Sequence, residues 1–203
     1  MNKIIAKTGS IIVTVAVILF AVFMVTFKFG SYFVCMFLAL GYLMMIAGFH
    51  NESDTDRRVA ANVGLMFGCV YAVMILLVYF AQTTAVKNDA LNEQAVQILD
   101  FSRGGLLFSY DLLGYGMMAL STFFIGLTIK PVNNKDRWLK YLMTIHGIFF
   151  FGCLIMPMTG IFSASMSDGS DSIGGIIALE FWCAYFLPIG ILSGLHFREG
   201  KNE

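Results

Sequence analysis

The chain has 203 residues, of which 58% are hydrophobic and 13% charged, whereas about a quarter of a soluble domain is charged. Lys plus Arg and Asp plus Glu number 13 each, so no net field draws nucleic acid or an acidic partner to the chain. A soluble globule, a disordered chain and a disulfide scaffold are excluded, which leaves an all-α polytopic integral membrane protein.

A helix needs about 20 mostly apolar residues to cross a hydrocarbon core of about 30 Å, and six stretches meet that requirement. The first runs from Gly9 to Phe27. Lys3 and Lys7 precede it, but Lys28 follows with no small-residue cleavage pattern, so it reads as a retained span and not as a signal peptide. A tight turn at Lys28 to Gly30 leads into the second span, Ser31 to Phe49, and a short acidic loop, His50 to Arg58, into the third, Ala60 to Gln82. The longest connection, Thr83 to Arg103, offers Asn88 and Asp89 as caps before Leu91, Ala95, Val96, Ile98 and Leu99 at helical spacing. A short amphipathic helix is expected there, lying on the membrane surface or capping the bundle. The fourth span is Gly104 to Ile129 and the fifth Trp138 to Phe162; a Ser-, Gly- and Asp-rich loop, Ser163 to Gly175, then leads to the sixth, Gly174 to Phe197.

Basic residues are held on the cytoplasmic side of a membrane. With the N-terminus inside, the inner segments carry Lys3, Lys7, Arg57, Arg58, Lys130, Lys135, Arg137, Lys140, Arg198 and Lys201, and the outer ones only Lys28, Lys87 and Arg103. Both termini are therefore expected in the cytoplasm, and the single domain in the plasma membrane with lipid around it. Gly64-x-x-x-Gly68 and Gly190-x-x-x-Gly194 have the spacing that lets helices approach closely. Pro157 and Pro188 each delete a backbone donor inside a span and are expected to kink it.

Ionisable groups inside a span are costly and usually face the bundle interior. Three are present: Asp111, His146 and Glu180. Asp111 and Glu180 enter from the same side to a shared depth of about 10 Å, and His146 enters from the other side by about 12 Å. The two carboxylates are expected to meet if spans 4 and 6 face one cavity, with His146 as an inner relay. Tyr115 stands four residues after Asp111 and so on its helix face. With Tyr110 and Trp182 it would shape an acidic, aromatic pocket suited to a cation.

The four cysteines form no C-x-x-C, and no Walker loop, G-x-S-x-G or H-E-x-x-H occurs. No catalytic residue, metal or cofactor is expected. The sequence reads as a membrane protein that binds or moves a small solute, cation or proton through an outward-facing site. The alternatives are an accessory or sensory subunit that acts on a partner membrane protein, and an intramembrane lipid-modifying enzyme.

Overall fold

The computed structural model describes residues 1–88, 91–160 and 173–199. Asp89, Lys201 and most of the Ser163 to Gly175 loop lie outside them. The helices are α1 (Asn2–Thr26), α2 (Lys28–Glu52), α3 (Arg58–Ala81), α4 (Glu93–Leu99), α5 (Leu106–Thr128), α6 (Asn134–His146), α7 (Phe149–Met158) and α8 (Ile173–Glu199). Six helical stretches, with α6 and α7 together making one, are long and apolar enough to cross a membrane.

α1 begins at Asn2, a full two turns before the expected Gly9, because Lys3 and Lys7 remain helical with exposed side chains. Within it, Ser10 and Thr14 donate their hydroxyls to the Ala6 and Ser10 carbonyls at 3.0 and 2.8 Å, so neither carries an orphaned polar group. The turn to α2 is a single residue, Phe27, with φ −152° and ψ 83°. A Cβ on Gly9 would stand 2.6 Å from the Gly41 carbonyl oxygen and the Met45 nitrogen. Only glycine lets these two backbones come so close.

α1 packs on α2 and α8, α2 on α3, α3 on α5, α5 on α6 and α7, and α6 on α8. The span-length stretches therefore stand in chain order round a closed ring. Both glycine pairs lie at these contacts. Gly64 accepts the Ser121 hydroxyl at 2.6 Å through its carbonyl, and Gly190 packs against Thr14. Apolar side chains such as Leu19, Val73, Leu77, Phe151 and Ile191 point outward.

The fifth stretch is interrupted at Gly147 and Ile148, ten residues before the expected kink at Pro157. Short-range bonds replace the α pattern there, Gly147 N–H to Thr144 O at 3.3 Å and Ile148 N–H to Ile145 O at 3.0 Å. Pro157 stands one residue before the end of α7, where a missing donor ends a helix more readily than it bends one. Between α3 and α5, a π turn over Gln82–Val86 brings round α4, whose N-cap Asn92 accepts from the Ala95 N–H at 2.9 Å. Buried Gln82 anchors this connection, donating to Leu99 O at 2.7 Å and accepting from the Phe101 N–H at 3.0 Å.

At the far end of the ring, Arg57 donates to the Leu127, Thr128 and Ile129 carbonyls at 3.2 to 3.4 Å. It thereby caps the negative end of α5. Lys130 pairs with Asp54 nearby, and its ammonium holds the Asp54 carboxylate below the usual range.

Candidate functional site

Near the α1–α2 turn the ring surrounds a half-open cavity of about 270 Å³. Each helix around it contributes for a local reason. α5 presents Phe108, Asp111, Leu112 and Tyr115, which recur at three- and four-residue spacing and so occupy one face. α3 contributes Tyr79 from its last turn, and the anchored connection contributes Phe101. α7 supplies Phe149, Gly152, Cys153 and Met156, and α8 supplies Trp182 and Leu179. Lys28 and Ser31 line it at the start of α2.

Asp111 is 2% exposed, and its Oδ1 has no hydrogen-bond partner among the described residues. Its one polar neighbour of note is Tyr79, whose side chain interacts with it. A buried carboxylate oxygen left unmatched costs more than a hydrogen bond returns, so it needs a reason to persist. Tyr115, one turn further on, meets the Cys35 sulfur through its hydroxyl at 3.8 Å and packs edge-on against Trp182 at 5.0 Å.

Below the carboxylate the cavity ends on a layer of rings. Tyr115, Trp182, Phe186, Tyr42 and Tyr71 form a closed circuit of ring contacts with centroid separations of 5.0 to 6.3 Å. Tyr42, Tyr71 and Phe186 are wholly buried. The Tyr42 hydroxyl is fixed on the Met118 carbonyl at 3.3 Å.

Of the six residues singled out from the sequence, Asp111, Tyr115 and Trp182 line this cavity, and Tyr110, Glu180 and His146 do not. Tyr110 is 44% exposed. Glu180 is half-buried, with no hydrogen-bond or ion-pair partner among the described residues. His146 is fully buried behind Trp182, which donates its indole N–H to His146 Nε2 at 3.1 Å. An indole only donates, so Nε2 is unprotonated and the neutral ring carries its hydrogen on Nδ1. That hydrogen meets Thr122 Oγ1 at 2.7 Å, and the Thr122 hydroxyl donates to the Ala119 carbonyl at 2.9 Å. Every polar atom of this chain is matched, and its visible effect is to hold the Trp182 ring. Arg103 lies 4.0 Å from Asp100.

Tyr79, Phe101, Phe149 and Gly152 have no spacing in the sequence that links them to Asp111, whereas Phe108, three residues before it on the same face of α5, is a neighbour that spacing could have found. A second polar cluster was also missed. His196 of α8 places Nδ1 at 2.8 Å from Asp136 Oδ1 and Nε2 at 3.0 Å from Glu52 Oε2, joining α2, α6 and α8 at the other end of the ring. No group of three or more His, Cys, Asp or Glu suited to a metal occurs among the described residues. No protein-family model, no curated protein and no solved structure matches the chain.

Proposed function

We propose that the chain is a multi-pass plasma-membrane protein, with both termini in the cytoplasm, that binds a small solute in the cavity around Asp111. The observation that carries this reading is the unmatched Oδ1 of a carboxylate 2% exposed on a cavity whose wall is mainly rings and aliphatic groups, with Lys28 and Ser31 as further polar side chains. Binding sites of this kind combine an apolar wall with a few placed polar groups. Asp111 is the binding group, and Tyr79, Tyr115 and Trp182 form the wall beside it. His146 acts through Trp182, by fixing its ring.

The closed aromatic layer favours binding over passage. Movement of a solute across the bundle would require the Tyr42, Tyr71 and Phe186 layer to part, with His146, held by Trp182, behind it. The test is a thermal-unfolding screen of small amines, alcohols and carboxylates on the purified protein and its Asp111→Asn variant. At least one solute is expected to raise the melting temperature of the parent by mass action and to leave the variant unmoved. Equal responses of the two proteins to every solute, or a variant that inserts but no longer folds, would contradict the reading.

A further inference from the structure

We infer that the cavity takes a compact organic monocation, a single ammonium on an apolar body of about eleven non-hydrogen atoms. The inference rests on the cavity being a solute site and adds the class of solute.

The charge follows from the lining. Asp111 is the one carboxylate among the described lining residues, and its unmatched Oδ1 calls for a further donor. A neutral body without a donor would seal that oxygen in, at the full desolvation penalty. An ammonium donates to it and cancels its charge. Around the carboxylate stand Tyr79, Tyr115, Trp182, Phe101 and Phe108, whose faces attract an organic cation.

Inorganic cations fit poorly. Calcium takes six to eight oxygen ligands, and an alkali ion exchanges its water for a ring of oxygens. The described lining offers one carboxylate, with scattered Ser31 and tyrosine hydroxyls in place of a ring of carboxylate and carbonyl oxygens. A dication fits poorly as well, because the single carboxylate of the described lining balances one charge and Lys28 on the same wall adds a like one.

The size follows from the volume. A cavity of about 150 Å³ holds benzene, so about 270 Å³ scales to about eleven non-hydrogen atoms. Gly152 marks the free space, since a Cβ there would meet nothing within 4 Å although the residue lines the cavity.

Phenylpropylamine, neutral phenylpropanol and potassium chloride serve as probes. The readout is Trp182 emission in a Trp138→Phe background, which leaves Trp182 as the one tryptophan of the two in the chain. The amine is expected to titrate the emission saturably, with the alcohol at least tenfold weaker and potassium without effect. Asp111→Asn should reduce the amine about tenfold to a hundredfold, toward the alcohol, as loss of a hydrogen bond to a charged group does. Gly152→Phe sets a ring where a Cβ meets nothing within 4 Å and should abolish binding of both organic probes while the protein stays folded. If Asp111→Asn inserts but does not fold, the solute-site reading and this inference fall together.

Alcohol binding equal to amine binding, or Asp111-dependent binding of potassium, would overturn the monocation and leave the solute site standing. Failure of every probe to bind the folded parent would overturn both.

Discussion

Asp111 and Asp136 are 2% and 4% exposed, and they stand at opposite ends of the same ring of helices. Asp136 is matched on both oxygens, by the Val132 N–H at 3.2 Å and by His196 at 2.8 Å, and His196 turns its other nitrogen to Glu52. The two nitrogens of this one imidazole thus tie three helices together. Asp111 keeps an oxygen with no partner and faces a cavity. Burial of an acid is thus no signal of function by itself; what separates the two ends is whether the set of partners closes. His146 falls on the closed side of that division, because Trp182 and Thr122 occupy both its nitrogens.

The largest expected effect tests the closed end. His196→Ala leaves the buried Asp136 carboxylate with the Val132 N–H alone, which costs about 3–5 kcal/mol, read as a fall in melting temperature in detergent. A fall no larger than that of an exposed substitution would break the distinction drawn between the two ends. Next comes His146→Leu, which strands the Trp182 N–H and should cost about 1–3 kcal/mol. It should also shift Trp182 emission, a signature that simple loss of packing elsewhere in the bundle would not give.

Smaller effects come from the groups outside the spans. Arg57→Ala removes the cap on three α5 carbonyls and should cost about 0.3–1 kcal/mol, measurable by thermal unfolding at low salt. Lys130 keeps Asp54 ionised below the usual carboxylate range. The contribution of that pair is complete above the ordinary aspartate range and disappears as the pH falls through the lowered folded value. Asp54→Asn should therefore lower stability slightly and equally at pH 6 and pH 8, and the difference should vanish only in strong acid.

Much of the architecture could be read from composition, because an apolar run of 20 residues has few other uses. Its boundaries could not. Lys3 and Lys7 look like an end to α1, yet long basic side chains reach outward while their backbone stays helical. The break before α7 carries no proline and is set by tertiary contact: a Cβ on Gly147 would stand 2.9 Å from the Phe123 ring.

For the site, the Asp111 and Tyr115 pairing was legible because four residues return to the same face of one helix. Glu180 misled because depth along a helix says nothing of angle. It shares the depth of Asp111, but it stands about 200° round α8 from Trp182, which lines the cavity. Tyr110 is turned about 100° from Asp111 for the same reason. Tyr79, Phe149 and Gly152 become neighbours of Asp111 only once the order of helices round the ring is known.

The central claim is that the Asp111 carboxylate is held for a ligand and not for the fold. The most direct measurement is the melting temperature of Asp111→Asn beside Asp136→Asn, both without added solute. Asp111→Asn should melt at or above the parent, since it relieves an unmatched buried acid, while Asp136→Asn should melt well below it. A loss in Asp111→Asn as large as that in Asp136→Asn would contradict the account.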